Sequence, residues 1–268
     1  MVIMKFKIPF RKERKSVSVI RLSGMIASGA RGQLSDQSLA PFIDKAFEKG
    51  SPVAVALVIN SPGGSPVQSS LIGARIRRLA QEKGIPVYAF VEDVAASGGY
   101  WLAAAADVIY VDSSSIVGSI GVISSGFGLH GLIDRYGVER RVYTAGKSKS
   151  TLDPFKPEKA EDVKRLKRML EQVHEAFKDH ITARRGDKLP KDYDVFTGEF
   201  WAGQKSIELG LADHIGHLDA VMKERYGDNV CIKTYGPKKG WVSWLSGKIL
   251  DDVTLMVEEK VAFSKFGL

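Results

Sequence analysis

The sequence predicts an α/β fold with a largely parallel sheet, and two observations carry that prediction. Runs rich in β-branched and aromatic residues alternate with runs whose apolar residues recur every three or four positions. The strand-like runs are also almost continuously apolar, as strands are when helices cover both faces of their sheet.

The strand-like runs fall at 16–26 (SVSVIRLSGMI), 53–60 (VAVALVIN), 86–93 (PVYAFVED), 107–112 (DVIYVD), 120–125 (IGVISS) and 141–146 (RVYTAG). A helix over 35–50 gathers Leu39, Phe42, Ile43, Ala46 and Phe47 on one face, and one over 65–84 gathers Val67, Leu71, Ala74, Ile76 and Leu79. Pro157 suits a first helical turn, and Val163, Leu166, Leu170, Val173, Phe177 and Ile181 carry an apolar stripe on to Gly186. The stretch FWAGQKSIELGLADHIG (200–216) then gives a short helix and a return strand. In the tail, Leu250, Val253, Leu255, Met256, Val261 and Phe263 suit an amphipathic helix with Trp241 and Trp244 near its start. Such a helix docks on the domain or a second subunit, or lies in a membrane interface. The expected organisation is a basic segment over 1–15, one domain over 16–225 and an extension over 226–268.

Composition excludes several classes of function. No run approaches the roughly 18 to 20 apolar residues needed to span a bilayer, and the lysines and proline of MVIMKFKIPF interrupt the apolar core a secretion signal needs. The expected location is cytoplasmic. The lone Cys231 excludes an internal disulfide and fits a reducing compartment. Lys and Arg outnumber Asp and Glu 39 to 31, a net charge of +8, partly concentrated in KFKIPFRKERK (5–15). No stacking aromatics or nucleic-acid motif accompany that patch, so no nucleic-acid partner is expected; peripheral contact with a membrane through it and the tail stays open.

Three familiar motifs fail. Gly126–Gly131 matches G-x-G-x-x-G, but only LIDRYG follows before the next strand-like run, too short for the helix of a dinucleotide-binding unit. AGKS (145–148) lacks the earlier glycine of a phosphate-binding loop, where Arg141 stands. His174 and His180 lie six residues apart, on different helical faces, so they form no zinc-protease pair. The five histidines read as surface or satisfied polar residues, and no metal or cofactor is expected.

Two glycine-bearing turns remain. In NSPGGSPVQ (60–68), Pro62 pushes Ser61 toward an extended conformation, while Gly63 and Gly64 allow backbone angles closed to other residues. Ser65, Pro66 and Gln68 have the spacing of a capped helix start, which leaves N–H groups at a positive helix end. In VEDVAASGGYWLAAAAD (91–107), Ser97 stands between a strand and an alanine-rich helix. It either caps that helix or is a nucleophile whose oxyanion would meet the N–H groups of Gly98 and Gly64. A nucleophilic serine needs a base, and neither G-x-S-x-G nor S-x-x-K occurs. Lys147 and Lys149 in YTAGKSKS (143–150) are the remaining candidates, and alternation along an extended strand does not separate them. A free lysine is neutral at only about one part in a few thousand at pH 7, and lowering its pKa by about three units costs about 4 kcal/mol.

Taken in order, INSPGG, VAASGGYWLAAAAD, VGSIGVI and YTAGKSKS resemble the signal peptide peptidase A family of Ser–Lys peptidases, including its SohB-like members, from about residue 16 to about 225. That resemblance implies a ClpP/crotonase-type fold of repeated ββα units with C-terminal helices. It implies Ser97 as nucleophile, Lys149 as general base, Ser119 as the residue orienting that lysine, and Gly64 and Gly98 as oxyanion donors. It further implies peptide or protein substrates, signal-peptide remnants among them, and rings or domes whose sites are completed between neighbouring subunits. From the start MVIMKFKIPFRKERK (1–15) the family's usual N-terminal anchor is not expected, and Trp101 stands where a tyrosine is often found. Two rival readings use the same fold: an acyl-CoA hydratase or hydrolase, which needs acidic catalytic residues, and a catalytically silent peptide-binding scaffold.

Overall fold

The computed structural model describes residues 14–28, 33–146, 148–236, 257 and 259–268. Strands β1 (Ser16–Ser23), β2 (Ala54–Ser61) and β3 (Val87–Ala96) form the parallel centre of an eight-stranded sheet. β8 (Cys231–Tyr235) continues it beyond β1, β4 (Val108–Val111) and β7 (His214–Ile215) extend it from β3, and β5 (Ile116–Gly118) and β6 (Phe200–Ala202) form another branch from β3. Only the β5–β6 pairing is antiparallel.

Period-two alternation sorts the side chains of the central strands into two cores. Ile20, Leu22, Leu57, Ile59, Ala89 and Val91 pack beneath α1 (Asp36–Glu48), α2 (Pro66–Lys83), α3 (Gly98–Ala104) and the end of α5 (Ala160–Arg185). Val17, Val19, Ala56, Val58, Tyr88 and Phe90 point the other way, toward Val221 and Met222 of α7 (Leu218–Tyr226), which follows the short helices α4 (His130–Arg135) and α6 (Gly203–Glu208) in the chain. Burial on both faces is why these strands read as continuous apolar runs.

β3 serves two neighbours in succession. Tyr88–Val91 pairs with β4, and Val94–Ala96 pairs with β5. Between them the register against β2 shifts, with Ile59 opposite Val91 but Ser61 opposite Ala95. Two extra residues on the β3 side bend the strand, as bulges do. The bend delivers Ala95 beside Ser61 and Ala96 beside Gly118.

Several expectations need correction. Residues 120–125 and 141–146 form no strands. β-propensity describes a fit to a half-buried pleated surface, and here β6 already takes the edge of β5, leaving Ile123 and Tyr143 76% and 90% exposed. α2 buries Ser69, Ile72, Gly73, Ile76, Leu79 and Ala80, whereas Val67 and Leu71 of the expected face are exposed. Gly73 admits the indole of Trp101, 3.4 Å from where a Cβ would stand. Pro157 precedes α5, which starts at Ala160. Val261, expected on the buried face of the tail, points outward. The basic stretch before Arg14, Lys147 and most of the tail lie outside the described residues.

One buried ion pair ties the end of α5 to the β7 edge. Arg185 is 2% exposed and donates from Nε and Nη2 to the Gly210 carbonyl and from Nη1 to Asp213 at 2.8 Å. Asp213 also accepts from Lys188 and from the Ile109 amide; hydrogen bonds from Arg185 and Lys188 outweigh burial and hold its carboxyl below the usual range. Asp213→Ala strands a buried guanidinium and is expected to cost about 3 to 5 kcal/mol by chemical denaturation, with Arg185→Met plus Asp213→Leu recovering a large part of the loss. A single-variant loss no greater than that of an exposed ion pair would refute this role.

Candidate active site

The first glycine turn follows β2. Buried Ser61 donates its hydroxyl to the Gly24 carbonyl at 2.7 Å and accepts from the Gly63 amide at 3.2 Å. Gly63 and Gly64 have φ of +102° and +140°, and a Cβ at Gly64 would overlap the Ile26 carbonyl, so both conformation and space demand glycine. Ile26 bridges this turn by donating to the Gly63 carbonyl and accepting from the Ser65 amide, which leaves the Gly64 N–H between them outside the ladder. Ser65 caps α2 by accepting from the Gln68 amide; the Gln68 side chain accepts instead from the Asp36 amide, so the expected capping box is only half formed and the starts of α1 and α2 are joined.

The second turn joins β3 to α3. Ser97 sits there at φ +52° and ψ −121°, a conformation that costs a non-glycine residue about 1 to 3 kcal/mol. Its amide donates to the Gly118 carbonyl at 2.8 Å and its carbonyl accepts from the Trp101 amide at 3.0 Å, so the backbone is held from both sides. Its side chain makes no capping hydrogen bond. The helix-cap reading is therefore excluded, and among the described residues the hydroxyl is left uncommitted on a sharp strand-to-helix turn, the placement that exposes a nucleophilic serine in other hydrolases. A side chain on Gly98 or Gly99 would overlap the Ser69 hydroxyl or the Ser61 carbonyl, which explains both glycines. As the first residue of α3, Gly98 has an N–H with no intrahelical acceptor. The Gly64 nitrogen is 3.4 Å from where a Cβ on Gly98 would stand.

Both turns open on a cavity of about 610 Å³. Gly64, Ser97, Gly98 and Ser119 line it, with Trp101, Val173 and Phe177 as an apolar wall. Ser119 also has a positive φ, +53°, and its amide donates to the Glu199 carbonyl at 2.6 Å. Among the described residues that line the cavity there is no Asp or Glu. Trp101 stacks on Phe177 and His180 with centroids 5.0 and 4.6 Å away, and His180 Nε2 is 3.1 Å from the Trp101 carbonyl. Burial pushes the His180 imidazole below its ordinary pKa. His174, also at the cavity, holds the Ile120 carbonyl at 3.1 Å.

Four of the five residues singled out in the sequence thus line one cavity. Lys149 lies exposed in a turn, its amide donating to the Gly146 carbonyl, and is not among the residues lining the cavity of this single chain. Among the described residues, the lysine that does line it is Lys265, together with Ala262 and Phe266. Periodicity marks the helical stripe in that segment but not the surface it covers. Among the described residues no group of three or more His, Cys, Asp or Glu side chains has a metal-binding arrangement, and no helix is long and apolar enough to cross a membrane.

The sequence model described as peptidase family S49 matches residues 79–228, a span that contains Ser97, Ser119 and Lys149. The chain is 44% identical, over 99% of its length, to a Brucella abortus protein named Na(+)/H(+) antiporter NhaA. It spans only 39% of that relative, so most of the protein to which the name refers lies outside the match. It is 31% identical, over 83% of its length, to 34% of a chloroplastic serine protease SPPA of Arabidopsis thaliana. Protease 4 of Haemophilus influenzae is 28% identical over 81% of this chain and 36% of its own length.

Two outcomes follow from the geometry. Ser97→Gly releases the backbone strain and is expected to raise stability by about 1 kcal/mol over Ser97→Ala in thermal unfolding; equal stabilities would contradict a strained turn. Unfolded His180 binds a proton near pH 6.5, while the folded site resists it. The unfolded state then holds more protons as pH falls from about 7 to about 5, and stability drops over that window. The decline in melting temperature should be shallower in His180→Phe, and parallel slopes would overturn the assignment.

Proposed function

Since the chain belongs to peptidase family S49, we propose that it is a serine peptidase with Ser97 as nucleophile, Lys149 as general base, Ser119 orienting that lysine, and the Gly64 and Gly98 N–H groups as oxyanion donors. The observation that carries the reading is the uncommitted hydroxyl of Ser97 on its strained turn, beside two glycine amides with no ladder or helix acceptor. In the proposed cycle, neutral Lys149 takes the Ser97 proton as the hydroxyl attacks a peptide carbonyl, and the two amides hold the tetrahedral oxyanion. The lysine returns its proton to the leaving amine, and water resolves the acyl-enzyme by the same route. Each step draws on protein groups and water.

Lys149 belongs to a stretch that exposes Ile123, Phe127, Tyr136 and Tyr143, each more than 70% accessible. Leaving that much large apolar surface in water is unfavourable, and a second copy of the chain seated there would cover it while desolvating the lysine. The proposed assembly is therefore a homo-oligomer in which Lys149 of one copy serves Ser97 of the next, in line with the rings or domes the resemblance implies. The apolar wall of Trp101, Val173 and Phe177 supports apolar segments of polypeptide as substrates, whether signal-peptide remnants, other membrane-associated polypeptides or soluble peptides. A cytoplasmic location with peripheral membrane contact is part of the same proposal. An acyl-CoA hydratase is disfavoured because it needs carboxylates, and none of the described cavity residues supplies one.

Fluorophosphonate labelling of the wild-type chain, with the modified residue located by mass spectrometry, tests the chemistry. Label on Ser97 that is lost in Ser97→Ala and strongly slowed in Lys149→Ala is expected; unlabelled wild type would favour the silent scaffold. Mixing the inactive Ser97→Ala and Lys149→Ala chains tests the assembly. If neighbours share a site, random assembly of an equal mixture regains about a quarter of wild-type sites, whereas no recovery means that the lysine acts within its own chain.

A further inference from the structure

Residues 259–264 are helical, and the following turn closes with the Phe266 amide donating to the Phe263 carbonyl at 2.9 Å. Glu259, Ala262, Phe263 and Phe266 are half-buried, while Lys260, Val261, Ser264 and Lys265 are exposed. That alternation is the stripe of a helix lying on a surface. The surface is the mouth of the Ser97 cavity, which Ala262, Lys265 and Phe266 line. The segment reaches both rims. On one side the Glu259 carboxylate lies 2.9 Å from where a Cβ on Gly24 would stand; on the other, the Phe266 ring meets Phe200 edge-on at 5.1 Å. Gly24 precedes the Ile26 bridge to the first glycine turn, and Phe200 opens β6, whose partner β5 leads to Ser119.

We infer that this segment is an occluding partner of the cleft: it competes with polypeptide substrates for access to Ser97 and must leave before they enter. Two features fit a displaceable cover. Among the described residues, none of the segment is fully buried and its ring-to-ring anchor is a single aromatic pair. Its chemistry, an apolar stripe ending in an aromatic residue beside a lysine, is also of the kind that an apolar cleft accepts from another chain. The rate arm of the test rests on the peptidase reading above; the binding arm does not.

The test uses the full chain carrying Ala262→Glu and Phe266→Ser, which unseat the stripe without touching the cavity floor, with Val261→Ser on the outward face as control. A cover closed nine-tenths of the time leaves about one-tenth of the sites open. Fluorophosphonate labelling of the double variant should then rise about tenfold, with a lower KM for a fluorogenic peptide and unchanged kcat, while the control behaves as wild type. A fluorescent peptide spanning residues 257–268 should bind the double variant by anisotropy, also in a Ser97→Ala background, and a peptide with Phe266→Ser should not. Peptide binding without any labelling or turnover would sink the peptidase reading and leave the docking site standing. Labelling without peptide binding would do the reverse. Loss of turnover in the double variant would overturn the inference by making the segment part of the machinery. Repression in the wild type that weakens on dilution would overturn it in favour of a segment donated by a second copy.

Discussion

The arrangement of the site depends on one backbone conformation, the positive φ of Ser97 between β3 and α3. A side chain resists that region, so the surroundings must impose it. They do so with hydrogen bonds on both flanks, to the Gly118 carbonyl and from the Trp101 amide, and with glycines wherever a Cβ would collide: Gly63 and Gly64 on the neighbouring turn, Gly98 and Gly99 in the helix that follows. The same constraint withdraws the hydroxyl from its ordinary work as a helix cap. Strain at this one residue is what leaves a polar group free for chemistry.

The rest of the fold serves to hold that turn still. Two cores grip the central strands from opposite faces, so the ends of β2 and β3 are fixed relative to each other. The register shift in β3 carries its last residues over to β5, and this brings the Ser61 turn, the Ser97 turn and Ser119 to one place. Trp101, fully packed against Phe177 and His180, anchors the first turn of α3 from beneath while forming a wall of the cavity. Rigid elements thus present the hydroxyl and the glycine amides, and the stretch after Ser119 stays exposed, the surface that the proposed assembly would cover.

What the sequence made legible and what it hid divide along a physical line. The two glycine turns could be read because only glycine tolerates such crowding, and Ser97 stood out because small residues surround it without a core to fill. Parallel strands announced themselves through unbroken apolarity. The runs at 120–125 and 141–146 misled because β-propensity is satisfied only when a neighbouring strand is present, and the single chain supplies none there. Val67 and Leu71 misled in α2 because Gly73, having no side chain, carries no apolar signal although the indole packs on it. The position of Lys149 relative to Ser97 was illegible for a different reason: the pairing proposed for it involves a second copy, and no periodicity encodes that. The tail's stripe was visible as a stripe, but its choice of surface was not.

The central claim is that Ser97 is a nucleophile whose oxyanion is received by the Gly64 and Gly98 amides, and a crystal structure of the chain reacted with a peptide aldehyde addresses it most directly. The account predicts a hemiacetal bond to Ser97 Oγ, with the new oxygen accepting hydrogen bonds from both amides. An aldehyde bonded to another residue, or an oxygen directed away from the two glycines, would contradict it.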